Sequence, residues 1–137
     1  MHGRDEREWE KMIAAGREIL VARAVLDRTT SYGEFAAALI RRTGCARFDF
    51  ASGNGRASMA YLLERISEAA YAESGERLLG AVVRHPGVED GGPWFCRMAV
   101  AKGFLVPRTR GGRQLFWAAH VRELHEHYAG RRRRSAG

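Results

Sequence analysis

The sequence predicts a mainly helical protein with a small β-sheet, of the α+β class. Apolar residues recur at helical spacing over most of the chain, and one short valine-rich run is typical of a strand. With 137 residues, 45% of them apolar, the chain is long enough to bury one self-sufficient core. We therefore expect a single globular domain over residues 1–129, followed by a basic, disordered tail over residues 130–137.

Two amphipathic helices are expected in the first third of the chain. The first covers about residues 5–27, and its apolar positions recur at helical spacing: Trp9, Met12, Ile13, Gly16, Ile19 and Leu20. An S-x-x-E capping box follows, in which the Ser31 hydroxyl and the Glu34 carboxylate satisfy free amides of a new helix. We expect this second helix to end near Thr43 and Gly44.

The middle of the chain predicts a helix, a strand and a short helix. The third helix covers about residues 56–72, with Asn54 as its N-cap, and it buries one apolar stripe: Met59, Leu62, Leu63, Ile66 and Ala70. Residues 78–83 are apolar and rich in valine, which predicts a strand. A fourth helix is expected to start at Pro93, since proline is tolerated in a first turn, and to stop at Gly103.

Two patterns compete after the fourth helix. Apolar triplets at 104–106 and 115–117 flank the segment PRTRGGR, which predicts a hairpin with a tip of glycine and arginine. A stripe at helical steps also begins within the second triplet: Trp117, Val121, Leu124 and Tyr128. This stripe predicts a helix that either follows the hairpin or replaces its second strand.

The positive charge is concentrated at the C-terminal end. Residues 1–40 hold six basic and seven acidic groups, residues 41–90 seven of each, and residues 91–137 ten basic and two acidic groups. The ten basic residues are Arg97, Lys102, Arg108, Arg110, Arg113, Arg122, Arg131, Arg132, Arg133 and Arg134. Such a region attracts polyanions through counterion release, although a solvated basic face needs no partner.

The segment AKGFLVPRTRGGRQLFW resembles the end of winged-helix DNA-binding domains. In that family a recognition helix precedes a basic hairpin, the wing. The resemblance implies that Arg97 and Lys102 contact phosphates or bases, and that Arg108, Arg110 and Arg113 lie in the wing. Arginine suits both roles because its guanidinium binds a phosphate or a guanine edge through two hydrogen bonds.

Two helix openings resemble the C-terminal domain of alkylguanine alkyltransferases and alkyltransferase-like proteins. The segment SYGEFA at 31–36 is similar to that family's T-Y-G-x-x-A, and GRASMA at 55–60 to its A-R-A-V-G. The resemblance implies that Tyr32 contacts the DNA backbone and that Arg56 fills the gap left by a flipped base. The family's Pro-Cys-His-Arg strand is missing, since LGAVVR stands at 79–84, and this excludes alkyl transfer.

No arrangement of residues indicates catalysis, a cofactor or a metal. His120, Glu123 and His127 share a helix face, but this is not an H-E-x-x-H motif, and histidines on a polar face are usually solvated. Cys45 and Cys96 have no CxxC spacing and predict free thiols in a reducing compartment. No run reaches the roughly 18 apolar residues of a membrane span, so we expect a cytoplasmic protein.

The sequence therefore predicts a non-catalytic protein that binds nucleic acid, duplex DNA rather than RNA, through its C-terminal third. The alternative is a protein-interaction subunit, a homodimer or a component of a phage or host-defence assembly. In that alternative exposed aromatic residues dock the partner: Trp94, Phe95, Phe116 and Trp117. The arginines then serve solubility, without a direct nucleic-acid role.

Overall fold

The computed structural model describes residues 2–87 and 89–136, with the backbone alone for 131–136. In chain order the elements are α1 (Glu6–Val25), β1 (Thr30–Ser31), α2 (Tyr32–Thr43), α3 (Gly53–Ala69), a 3-10 helix (Leu79–Val82), β2 (Val83–Arg84), α4 (Gly92–Ala101) and α5 (Arg110–Ala136). The two strands form a parallel pair in which Thr30 lies beside Val83. The mainly helical α+β class is confirmed.

The core forms where α1, α3 and α5 pack around the 3-10 helix. Its largest fully buried side chains are Trp9, Trp94, Tyr128, Phe35, Phe95, Met12, Leu20, Leu39, Met59, Leu62, Leu63 and Ile66. Helices α1 and α3 approach closely at Gly16, where a Cβ atom would lie 2.6 Å from Ile66 Cδ1. The apolar stripes predicted for the first and third helices therefore do face the core.

The helix signals at the start of α2 and α4 are confirmed. Ser31 and Glu34 form the predicted capping box, and Gly44 ends α2 in the left-handed conformation. Pro93 lies in the first turn of α4, where its missing N–H costs nothing. These signals act within a few residues, so the sequence alone suffices to place them.

The predicted N-cap of α3 is wrong. Ser52 caps this helix by accepting a hydrogen bond from the Gly55 N–H, and Asn54 lies inside the first turn. Both residues are good caps in isolation, and the turn at Asp49 decides between them. The Ser52 N–H and hydroxyl both donate to the Asp49 carbonyl, which fixes the chain direction at Ser52.

The predicted strand at 78–83 is mostly wrong, since Leu79–Val82 forms a 3-10 helix and only Val83–Arg84 pairs as a strand. All residues from Leu78 to Val83 are buried. A short apolar run that is buried on every side has no alternation to distinguish a strand from a helix. The Gly80 N–H donates to Ser67 Oγ and holds the 3-10 turn against α3.

The predicted hairpin at 104–117 is also wrong. Residues 104–107 form no strand, and α5 begins at Arg110 and runs through the second apolar triplet. The competing interpretation, in which a helix replaces the second strand, is the observed one. The backbone of α5 then continues to Ala136, so the segment expected to be disordered from residue 130 is helical up to that point.

No helix in the described part of the chain combines the length and the apolar character that crossing a bilayer requires.

Candidate nucleic-acid interface

The basic segment before α5 is a helix start. Thr109 Oγ1 accepts a hydrogen bond from the Gly112 N–H at 3.0 Å, and the Thr109 carbonyl accepts one from the Arg113 N–H at 2.9 Å. This is the bonding of an N-cap residue. A Cβ atom on Gly112 would lie 2.6 Å from Pro107 Cβ, so glycine permits a close contact here. The pattern T-x-x-G shortly after a proline is the signal that could have predicted this helix start.

The two cations assigned to the recognition helix are paired with acids of α3. Arg97 Nη2 lies 3.5 Å from Glu64 Oε1, and Lys102 Nζ lies 2.7 Å from Glu68 Oε2. Lys102 Nζ also lies 4.3 Å from the centroid of the Tyr71 ring. Glu64 and Glu68 of α3 thus offset part of the positive charge of Arg97 and Lys102.

Arg113, assigned to the wing, is turned back toward the protein. Its Nε lies 3.5 Å from Asp90 Oδ2, and its Nη1 donates to the Arg108 carbonyl at 2.5 Å. It is half-buried and holds the segment before α5 against the loop that precedes α4. Its role here is to position the start of α5.

Arg108, Arg110 and Arg122 are exposed and make no ion pair with any residue in the described ranges. Arg108 precedes the Thr109 cap and Arg110 opens α5, so both lie at one end of this helix. Arg122 lies about 18 Å further along α5 than Arg110, at 1.5 Å per residue, and follows the buried Val121. The three side chains therefore remain available to an anionic partner.

The four arginines at 131–134 continue α5. Their backbone is helical, and their side chains lie outside the described residues. With 27 residues, α5 is about 40 Å long at 1.5 Å per residue. The helix therefore links the cations at its start to the four arginines near its end.

Tyr32 and Arg56 both contact Phe50. Only 3% of Tyr32 is exposed, its ring centroid lies 5.5 Å from that of Phe50, and burial raises its pKa to about 12. Arg56 is exposed in the first turns of α3, and its Nη1 donates to the Phe50 carbonyl at 2.8 Å. The structure thus brings the two residues to one loop, but leaves little of Tyr32 to touch a DNA backbone.

The aromatic residues expected to dock a protein partner are mostly inside. Trp94 and Phe95 are 1% and 0% exposed, while Phe116 and Trp117 are half-buried against the core. The Trp117 Nε1–H donates to the Ala81 carbonyl at 3.0 Å. The expectation that these four residues form an exposed docking surface is wrong.

His120 and His127 of α5 hydrogen-bond to the backbone of other segments. His120 is 2% exposed, and its Nε2 accepts a hydrogen bond from the Leu78 N–H at 2.8 Å. Burial, and then the charge of Arg77, lowers its pKa to about 4. Glu123 pairs with Arg77 at 2.5 Å, and His127 Nε2 lies 2.7 Å from the Glu73 carbonyl. No three potential metal ligands meet within the described residues.

Comparison of the chain with protein-family models, with curated proteins and with solved structures gives no significant match.

Proposed function

We propose that the protein binds nucleic acid without catalysis, and that duplex DNA is its ligand. The observation that carries this proposal is the exposure of Arg108, Arg110 and Arg122 without acidic partners in the described ranges. The chain between Gly91 and Arg122 also contains no acidic residue. Guanidinium groups in such a setting neutralise phosphates and release counterions.

The pairing of Arg97, Lys102 and Arg113 narrows the proposed contact surface to α5 and the residue before its cap. A cation that already faces a carboxylate must give up that partner to bind a phosphate, so it contributes less. The four arginines at 131–134 add charge at the far end of the helix. The proposed binding is therefore electrostatic and weakly dependent on sequence.

The test measures fluorescence anisotropy of a labelled random duplex over a series of salt concentrations. The variant combines Arg108→Gln, Arg110→Gln and Arg122→Gln. A matched control combines Arg7→Gln, Lys11→Gln and Arg28→Gln, which removes the same charge from exposed residues in or after α1.

The wild type is expected to bind with roughly micromolar affinity. Log K falls with log salt, and the α5 variant should make this fall less steep. The slope should become less negative by about 0.9 for each phosphate that is no longer neutralised, up to about 2.7. The control should leave the slope almost unchanged. Equal losses in both variants would show a general charge effect and contradict the proposed surface.

A protein-interaction role is the second candidate, because large aliphatic side chains are exposed. Leu105 is 94% exposed, Leu115 74% and Val100 61%. Exposed apolar residues mark an interface where they form a contiguous patch, so this role requires that these side chains lie together. Light scattering over a concentration series tests this role, and concentration-dependent mass that a Leu105→Ser, Leu115→Ser variant abolishes would favour it.

A further inference from the structure

A cavity of about 230 Å³ opens at the N-terminus of α3, and the described residues that line it include none of the proposed DNA surface. Its walls come from the chain before α1, the loop before α3 and the first turns of α3. The volume is below the roughly 300–1,000 Å³ of pockets that hold drug-sized ligands. Such a cavity suits a small group.

One buried hydroxyl, that of Ser58, lines this cavity. Ser58 is 4% exposed, and its Oγ has no hydrogen-bond partner among the described residues. A buried polar atom without a partner is costly, and native proteins usually satisfy it. A ligand oxygen in the cavity would accept the hydrogen bond that no described protein atom accepts.

The other groups at the cavity favour an anion. Arg4 and Arg47 both line it, and Arg4 is 8% exposed with its guanidinium 4.6 Å from the Phe48 ring centroid. Arg4 Nη2 donates to the Ala46 carbonyl at 2.8 Å, which holds the guanidinium in place. The first amides of α3 have no intrahelical acceptor and form the positive end of the helix dipole. Asp49 also lines the cavity and opposes this positive charge.

We propose that this cavity binds a tetrahedral oxyanion of phosphate size. The anion is supplied either as free phosphate or as a phosphate group of a nucleic acid. Ser58 donates a hydrogen bond to it, Arg47 neutralises it from the exposed side, and Arg4 does so from the buried side. This site stands independently of the proposed DNA surface on α5.

The test titrates the ¹⁵N-labelled full-length protein with inorganic phosphate at constant ionic strength and follows the amide shifts of residues 53–58. The variants are Ser58→Ala, Arg47→Gln and Asp49→Asn. Arg28→Gln is the charge-matched control, because Arg28 follows the opposite end of α1. Ser58→Ala should fold normally, since it removes a hydroxyl that has no protein partner in the described ranges.

Phosphate should produce saturable shifts at residues 53–58 in the wild type. Ser58→Ala and Arg47→Gln should each weaken binding about fivefold or more, and Asp49→Asn should tighten it, because charge-assisted hydrogen bonds and nearby charges set the affinity. Arg28→Gln should bind like the wild type. Shifts that do not saturate, or that are equal in all variants, would overturn the proposal.

The same variants titrated with duplex DNA distinguish the two sources of the anion. Weaker DNA binding by Ser58→Ala assigns the cavity to a nucleic-acid phosphate, and unchanged DNA binding assigns it to free phosphate. If the wild type binds phosphate but no DNA, the function proposed for α5 is contradicted. The phosphate site is not affected by that outcome.

Discussion

Helices α3 and α5 start with the same local chemistry in different surroundings. Ser52 caps α3 through the Gly55 N–H, and Thr109 caps α5 through the Gly112 N–H, each at 3.0 Å. In both helices the third residue is a glycine that permits a close contact. The start of α3 borders a cavity with the buried Ser58, whereas the start of α5 carries exposed arginines.

The two helices show that an N-cap determines where a helix begins, whereas the packing of other segments determines the surroundings of its N-terminus. Asp49 folds over α3, so that a Cβ atom on Gly55 would lie 1.8 Å from the Asp49 carbonyl oxygen. At α5 the corresponding contact is with Pro107, which lies just before the cap. A loop packs against the start of α3 and forms one wall of the cavity there, whereas the arginines at the start of α5 are exposed to solvent.

The largest expected effect on stability comes from a substitution at the start of α3, where the loop at Asp49 packs against Gly55. Gly55→Ala should destabilise the protein by about 3 kcal/mol or more, because the added methyl group collides with backbone and the loop must move. Urea unfolding measures this loss. Gly33→Ala is the control, since nothing lies within 4 Å of its Cβ position inside α2, and it should be neutral or slightly stabilising.

The buried side of α5 should make stability depend on pH. The pKa of His120 is about 4 in the folded protein against 6.5 for the free group, so the unfolded state binds the proton first. Stability should therefore be full above pH 6.5 and fall by about 2–3 kcal/mol between pH 6.5 and pH 4.

Urea unfolding at several pH values compares the wild type with His120→Gln, which can still accept a hydrogen bond from the Leu78 N–H. The variant should lose the part of the pH dependence that His120 contributes. An identical pH profile in both proteins would contradict this explanation.

The two caps should differ modestly in strength. Ser52→Ala removes the bond from the Gly55 N–H and the one that its hydroxyl donates to Asp49, so we expect a loss of about 1–2 kcal/mol. Thr109→Ala removes one bond and should cost about 1 kcal/mol. Thermal unfolding measures which variant loses more stability. A larger loss for Thr109→Ala than for Ser52→Ala would contradict this prediction.

The smallest effect on stability is expected at the ion pairs that Arg97 and Lys102 form with α3. Glu64→Gln and Glu68→Gln should each change stability by less than about 1 kcal/mol, because these are surface ion pairs. If the proposed DNA binding holds, both changes should strengthen it by releasing Arg97 and Lys102. Anisotropy at low salt measures this gain, and weaker binding would contradict it.

Much of the fold could be predicted because its signals are local. The capping box at Ser31, the proline in α4 and the stripe of α3 each involve residues a few positions apart. The start of α5 is different, since Gly-Gly is typical of turns and therefore predicts a hairpin tip there. In the structure Gly112 lies in the first turn of α5, where Pro107 packs so closely that a Cβ atom would collide with it.

The candidate site could be predicted only in part. Charge counting finds the ten basic residues of the C-terminal third, but it does not separate Arg97, which is paired, from Arg110, which is not paired within the described ranges. The partner of Arg97 lies 33 residues away in sequence. No local pattern spans such a distance.

By itself the sequence determined the helical class, the capping box of α2, the apolar stripes and the position of the excess charge, since each depends on neighbouring residues or on composition. Only the tertiary structure decided which arginines face an acidic residue and which helix start borders a cavity. It also placed Ser58, Arg4 and Arg47 around one cavity. Ion pairs and cavities arise where distant segments pack, so their chemistry depends on the folded arrangement.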